Sequence, residues 1–469
     1  LLFNNYFMLT SLQDTITAIA TPRGHGAIAV IRISGQKSLH IAQMIFTPYY
    51  TGQVIQKGKA TLGYITNTQS DIVTNIDQVI ITFYCNPHSY TGEDIIEISC
   101  HGGSFIVQEI LQLILQHGAR LAEPGEFTQR AFLNGKLDLV QAESVNDLIN
   151  ARTQSSLQLS FTQLKGGLST DLSTLKNALR QELALLEHEL DFSEEEMQFS
   201  SRQKLVKDIT TFITHLNDLV QSFQFGKIIR EGARIVITGK PNVGKSSILN
   251  RLLREDRAIV SEIPGTTRDS LEESLNIDGV LFVVIDTAGL RKTTDLIEAE
   301  GVRRTENLVK TADIILHIID SSNPDALNEP LQFTVAARQK MIIVFNKIDI
   351  YKPDIVALLE NIYKANPIVK LSAKTGEGFE FLKKEMLDYV LKEQNFPLSQ
   401  TISNVRHLNA LERCRDFLRN TLTSLDGQLP PEFIAMDIRG ALNCIGEITG
   451  EVTGDDIIND IFSHFCIGK

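Results

Sequence analysis

Four short stretches of this chain carry residue types at spacings suited to phosphate and base chemistry. GKPNVGKSS, Gly239 to Ser247, fits the pattern GxxxxGKS between an apolar run and a helix-forming run. In that context backbone N–H groups close around a β-phosphate at a helix N-terminus. Lys245 adds a point charge and Ser246 a hydroxyl for Mg²⁺, while Asn242, Val243, Gly244 and Ser247 complete the cradle. DTAG ends the next apolar run; Asp286 can hold the Mg²⁺ shell and, past Thr287 and Ala288, the Gly289 N–H can reach a γ-phosphate. NKID supplies Asn346, Lys347 and Asp349. The Asp349 carboxylate can accept from both the ring N–H and the exocyclic amine of guanine, a pair that adenine does not offer. SAK, with Ser372, Ala373 and Lys374, brings backbone over the guanine oxygen. Four such motifs in this order, each after a strand-like run, imply GTP.

Hydrolysis needs a group that orients water. Ras-like GTPases, which are similar around DTAG, place a glutamine where this chain has Leu290, a side chain that cannot polarise water. The stretch RKTTDLIEAEGVR offers Glu298 and Glu300, either as that group or as solvated helix surface. Asn242 puts an amide oxygen beside the phosphates. It braces the loop, or it holds a monovalent cation where other systems use an arginine finger. Thr267, in PGTTRD, is a second hydroxyl candidate for Mg²⁺.

These motifs require a particular frame. RIVITGK, DGVLFVVIDTAG, ADIILHIID and KMIIVFNKID are buried-strand patterns separated by helical stretches, which predicts a doubly wound parallel sheet with function at the strand C-termini. Before it, AIAVIRI (27–33), QVIITFY (78–84) and DIIEIS (94–99) alternate with Gly and Pro turns and a helix from Ser104 to His117, an α+β texture. No proline occurs between Gly125 and Lys240, and Leu168, Leu172, Leu175, Leu179, Leu183, Leu186 and Leu190 recur at helical spacing. Only about three heptads are present, so burial in a bundle is expected rather than a free coiled coil. Helix-forming sequence returns after about Leu382. The expected divisions are 8–136 (α+β), 137–231 and 386–469 (two parts of one α-helical domain), and 232–385, an α/β GTPase unit inserted between them.

A length of 469 residues with 43% hydrophobic and 22% charged side chains describes a folded multidomain protein. The apolar runs fall short of the ~18 residues of a membrane span, so no transmembrane helix and no membrane partner are expected. Net charge is −12, with most of the excess acidity in 137–231 and 386–469. That disfavours indiscriminate nucleic-acid binding, which depends on neutralised phosphates. Five scattered cysteines without CxxC spacing point to reduced thiols in the cytoplasm, against a disulfide scaffold or a zinc site. LLFNNYF has no basic n-region and too short an apolar core for a signal peptide; Met8 is a candidate start, and whether residues 1–7 are native stays open.

TPRGHGAIAVIRISG (21–35), SYTGEDIIEISCHGG (89–103), EPGEFTQRAFLNGKLDLVQAE (123–143), the inserted GTPase unit and the terminal CIGK closely resemble the tRNA-modification GTPase family MnmE, also called TrmE. The resemblance implies a tetrahydrofolate-binding and dimerisation domain at the N-terminus, with Arg32, Glu97, Lys136 and the terminal Lys469 as folate contacts. 5-Formyltetrahydrofolate, or a relative, presents carboxylates and a pterin edge, chemistry suited to such a set. It implies that Asn242 is a potassium ligand, assisted by Ser261, Ile263 and Thr266 in the loop that continues through Glu262, Pro264, Gly265 and Thr267 along the nucleotide. It makes Glu298 the water-orienting acid and Cys466 a residue needed for modification rather than for GTP cleavage. It further implies a homodimer and a heterotetramer or larger complex with the flavoprotein MnmG, which carries FAD and uses NADH. That complex installs an aminomethyl or carboxymethylaminomethyl group on the wobble uridine of certain tRNAs, with the tRNA held largely by the partner.

Two other classes compete: a ribosome-assembly or switch GTPase gripping rRNA, and a membrane-remodelling GTPase of dynamin type. Acidic helical blocks disfavour both rRNA and anionic lipid.

Overall fold

The computed structural model describes residues 14–22, 24–67, 74–191, 202–257, 272–285, 307–328, 333–336, 338–391 and 396–469. The chain forms two compact units, Leu1–Asn146 with Gly446–Lys469, and Asp147–Ile445.

Among the described residues the first unit is built on seven strands: β1 (Ile16–Ile19), β2 (Ile28–Ser34), β3 (Phe46–Pro48), β4 (Ala60–Asn67), β5 (Thr74–Tyr84), β6 (Ile95–His101) and β7 (Arg120–Leu121), in the order β3-β4-β5-β6-β2-β1-β7. All neighbours are antiparallel except β1 and β7. Side chains alternate between faces along each strand. Ile31, Ile33, Ile81, Ile96 and Ile98 therefore point one way, into a core shared with helices Ser38–Ile45 and Ser104–Gln116. On the other face Ile16 and Ala18 pack with Ala122 and Phe127, the latter on helix Glu126–Leu133. Elsewhere on that face Ile28, Leu62 and Ile80 stay exposed. Register puts Arg32 opposite Glu97, so two side chains 65 residues apart meet on this second face. The helix Asp455–Ser463 and the C-terminal turn belong to this unit: Ile458, Phe462 and Phe465 pack with Leu139.

The second unit holds β8 (Ala233–Thr238), β9 (Glu272–Ile277), β10 (Val280–Ile285), β11 (Ile314–Asp320), β12 (Lys340–Asn346) and β13 (Ile368–Lys370), in the order β13-β12-β11-β8-β10-β9. Five strands are parallel, and β9 joins antiparallel to β10. Helices Lys245–Asp256 and Phe379–Leu391 cover one face, with Pro353–Ile362 on the other, the doubly wound arrangement that sends ligands to the strand C-termini. Helices Gln154–Leu164, Gly167–Asp191, Arg202–Glu231, Val405–Asp426 and most of Pro431–Thr449 form the helical remainder. The leucine stripe lies on Gly167–Asp191, where Leu168, Leu172, Leu175, Leu179 and Leu186 are buried. Gly226 is required by a close approach: a Cβ there would stand 2.2 Å from the Ile402 carbonyl.

Candidate functional site

The phosphate-binding loop leaves β8 at Thr238 and enters helix Lys245–Asp256. Two of its glycines are dictated by space. A Cβ on Gly239 would lie 2.3 Å from the Ile318 carbonyl, and one on Gly244 2.2 Å from Asn346 Nδ2; both also have positive φ. Asn242 takes the left-handed region at φ 62°, which asparagine tolerates better than most side chains. Lys245 folds over the loop, its Nζ donating to the carbonyls of Gly239 (2.7 Å) and Lys240 (2.6 Å). Ser246 and Ser247 follow in the first turn of the helix, where unpaired N–H groups and the helix dipole favour an anion.

Asn346, 2% exposed at the end of β12, ties three motifs together. Its Nδ2 donates to the Val243 carbonyl at 2.8 Å, and its Oδ1 accepts from the Ala373 N–H at 3.0 Å. Asp349 Oδ1 accepts from the Ser372 hydroxyl at 2.6 Å. That bond, with the nearby Lys374 and Lys347 charges, holds the carboxyl below its ordinary range. Lys347 has φ 66° and pairs with Asp320 at 2.5 Å. A cavity of about 410 Å³ lies alongside, lined by Ser247, Asn250, Arg251, Arg254, Ala373 and Lys374 among others. The geometry fits a guanine nucleotide: hydrogen-bond acceptors at the base end, N–H donors and a lysine at the phosphate end. Ser261, Glu262, Ile263, Pro264, Gly265, Thr266, Thr267, Asp286, Thr287, Ala288, Gly289 and Glu298 lie outside the described residues.

The first unit carries a second constellation. Arg32 donates from Nε (3.0 Å) and Nη2 (2.6 Å) to Glu97 Oε1, and Nη1 reaches the Gly468 carbonyl at 3.5 Å. Its guanidinium carbon stands 5.5 Å from the Tyr90 ring centroid and 5.6 Å from that of Phe127. Burial and then the Arg32 charge push the Lys469 amine below its ordinary pKa, against the opposing pull of Glu97. Two cations facing one carboxylate, with aromatic rings beside them, suit an anionic ligand with a flat ring system. Lys136 does not share these contacts; it is exposed and donates to the Pro87 carbonyl at 3.0 Å. Cys466 is exposed, and its carbonyl accepts from the N–H groups of Gly125 (3.4 Å) and Lys469 (3.3 Å). Gly468 has φ 95°, and a Cβ on it would sit 2.6 Å from the Ile19 carbonyl, so CIGK closes onto β1 only with glycine there.

Sequence reasoning missed several residues here. Tyr90 and Phe127 lie inside motifs it quoted, yet nothing local marks them as Arg32 neighbours. Behind them Arg130, fully buried, gathers Asp14, Glu93 and Glu126. His317 in ADIILHIID was visible as one polar residue in an aliphatic strand. Among the described residues no group of three or more His, Cys, Asp or Glu side chains could hold a metal ion, and no helix is long and apolar enough to cross a membrane.

A family model described as the GTP-binding protein TrmE N-terminus matches residues 15–136, and one described as the MnmE helical domain matches residues 139–466. The tRNA modification GTPase MnmE of Cytophaga hutchinsonii is 42% identical over 464 residues, covering 98% of this chain and 99% of its own. That of Geotalea uraniireducens is 42% identical over 460 residues (98% and 100%), and that of Chlorobium phaeobacteroides 43% over 466 (97% of each). The G domain of the T. maritima FeoB iron transporter matches 34% of this chain and 98% of its own at 28% identity, with a TM-score of 0.24, a likeness too weak to bear on the fold. With both family models spanning nearly the whole chain, and relatives above 40% identity along it, the chain belongs to the MnmE (TrmE) family of tRNA modification GTPases.

Proposed function

We propose that this chain is a magnesium-dependent, potassium-activated GTPase which, with the flavoprotein MnmG, installs an aminomethyl or carboxymethylaminomethyl group at carbon 5 of the wobble uridine of certain tRNAs. The observation that carries the GTPase assignment is Asn346, whose side chain joins the phosphate loop at Val243 to the SAK loop at Ala373. Asp349 then selects guanine, and Lys245 with the helix N-terminus binds the phosphates. Ser246 and Thr267 offer hard oxygen ligands for Mg²⁺. Asn242, with Ser261, Ile263 and Thr266, would hold K⁺, which would supply positive charge to stabilise the charge developing on the phosphates. Glu298 takes the water-orienting role that Leu290 cannot.

In the N-terminal unit Arg32, Glu97 and Lys469 would orient a tetrahydrofolate, which supplies a one-carbon unit when bound; Lys136 joins them only if its loop moves. The proposed domains are 8–136 for folate binding and dimerisation, 137–231 and 386–469 for the helical domain, whose last stretch, Gly446–Lys469, groups with the N-terminal unit, and 232–385 for the GTPase. The exposed sheet residues Ile28, Leu62 and Ile80 support a homodimer through the N-terminal units. FAD and NADH belong to the partner, which also supplies most of the tRNA contact. A cytoplasmic setting suits the free thiols.

The test is the GTP hydrolysis rate in potassium and in sodium at equal ionic strength. Potassium should accelerate turnover at least about tenfold, roughly 1.4 kcal/mol of barrier, and Asn242→Ala should abolish the difference. Equal rates in both salts would refute the potassium assignment, and absence of GTP turnover in either would refute the GTPase.

A further inference from the structure

We infer that His317 is a positioning residue for the nucleotide loop, acting through its hydrogen bond to Thr238. The inference rests on the GTP-binding reading and concerns a residue outside all four nucleotide motifs.

His317 occupies the middle of β11, IILHIID, where every other residue before Asp320 is aliphatic and buried. It is 6% exposed, its Nε2 is buried with no hydrogen-bond partner among the described residues, and its ring centroid lies 6.0 Å from that of Phe333 and 6.3 Å from that of Tyr363. An unsatisfied buried nitrogen is costly, so an aliphatic residue would serve the core better. What the imidazole adds is one bond: Nδ1 lies 3.0 Å from Thr238 Oγ1. The hydroxyl can donate or accept, so this bond stands in either tautomer.

Thr238 is the last residue of β8, and parallel register sets it directly beside His317. The chain turns into the phosphate loop at the next residue. Gly239 is pressed against the Ile318 carbonyl so closely that no Cβ fits, and its own carbonyl holds Lys245 Nζ at 2.7 Å. A shift of Thr238 along β11 would therefore drive Gly239 into Ile318 or pull it away, and would move the carbonyl that orients Lys245. The bond between Thr238 and His317 opposes that shift at the point where β-sheet pairing gives way to loop. Burial, assisted by the nearby Lys245 charge, pushes the imidazole down to about 4, so it is neutral at physiological pH and adds no repulsion against Lys245. A lysine or arginine at this position would place a permanent cation there.

The experiment measures GDP and GTP dissociation constants, melting temperature and steady-state hydrolysis for the full chain and for His317→Phe, His317→Asn, Thr238→Val and Thr238→Ser. Removal of one neutral hydrogen bond from the loop anchor should weaken nucleotide binding about 3- to 10-fold in His317→Phe, and at least as much in Thr238→Val, which also loses the hydroxyl's 3.4 Å contact to the Leu316 carbonyl. His317→Asn, whose amide falls near the Nδ1 position, and Thr238→Ser, which keeps the hydroxyl, should restore most of it. The double variant Thr238→Val/His317→Phe should bind no worse than Thr238→Val alone, since the two substitutions remove the same bond. Unchanged nucleotide affinity in folded His317→Phe or Thr238→Val would overturn the inference, as would additive losses in the double variant, which would leave His317 as a packing residue. If His317→Phe fails to fold, His317→Leu takes its place, because Thr238→Val alone also removes the hydroxyl's contact to the Leu316 carbonyl. Failure of the unaltered chain to bind GTP would instead refute the reading on which the inference rests.

Discussion

Replacing Arg130 by Met should cost the N-terminal unit about 3–5 kcal/mol, the scale for breaking a buried ionic network from one side. The Arg130 side chain is 0% exposed. Its Nη2 donates to Asp14 Oδ1 at 2.6 Å and to Glu126 Oε1 at 2.8 Å, and its Nη1 to the Asp14 carbonyl at 2.9 Å and to both Glu93 oxygens at 3.2 Å. Methionine keeps much of the volume, so the loss is mainly of charge. Arg120 still pairs with Asp14 and Glu126, whereas Glu93 keeps Ser34 at 2.7 Å. For a unit of this size each kcal/mol shifts the melting temperature about 2–4 °C, so a fall of roughly 6–20 °C is expected at pH 7.

The pH dependence distinguishes this from a simple packing defect. In the native protein burial raises the pKa values of Asp14 and Glu126, but hydrogen bonds from Arg120 and Arg130 outweigh it and hold both below their ordinary range. Their stabilising contribution is thus present above the unfolded carboxylate pKa of about 4 and lost as pH falls through the lower folded values. Without Arg130, Asp14 and Glu126 keep the hydrogen bonds from Arg120 but lose one of the donors that hold them down, so the variant has less carboxylate-linked stability to lose as pH falls. The deficit should therefore shrink between pH 7 and pH 3, most of the change falling below about pH 4. Thermal melts at both values, with hydrogen exchange read on helix Glu126–Leu133, provide the assay. A melting temperature within 2 °C of the unaltered protein, or a deficit identical at both pH values, would refute the reasoning.

Two further outcomes follow from the nucleotide unit. Asp349→Asn exchanges a carboxylate that accepts twice from guanine for an amide that can donate to the C2 carbonyl of xanthine. GTP affinity should fall at least about 100-fold while XTP binding improves, measured by competition, because the charge-assisted pair of hydrogen bonds to the guanine edge is lost. For His317, the folded value of about 4 lies below the ordinary 6.5, so the unfolded chain binds the proton first and stability declines as pH falls from 6.5 toward 4. Between pH 7 and pH 5 this residue should cost roughly 2 kcal/mol. Urea denaturation of His317→Phe should show a shallower pH slope than the unaltered chain by about that amount, and equal slopes would show that His317 is not buried neutral.

How much of this was legible in the sequence depends on whether the relevant chemistry is local. The phosphate loop is local: its spacing sets its conformation, and the space around Gly239 and Gly244 explains why the motif requires glycine there. The leucine stripe on Gly167–Asp191 was legible for the same reason, since helical period follows from the backbone. Asn346 was recognisable as part of NKID, but its bridge from Val243 to Ala373 spans distant loops and follows only from sheet order. Arg32 and Glu97 were named through resemblance; that they face each other is a matter of strand register, which no periodicity reports. Tyr90, Phe127 and Arg130 meet Arg32 or its supports through tertiary packing alone. The helical texture after Leu382 gave no sign of what it packs against, and the structure groups Gly446–Lys469 with the N-terminal residues rather than with the preceding helices.

The coupling of GTP turnover to tRNA modification is tested most directly by the nucleoside composition of tRNA from cells in which this chain is replaced by its Lys245→Ala or Cys466→Ser form. The account predicts loss of the C5-modified wobble uridine in both, although the purified Cys466→Ser protein still hydrolyses GTP at the unaltered rate. Unchanged wobble uridines in the Lys245→Ala cells would contradict it.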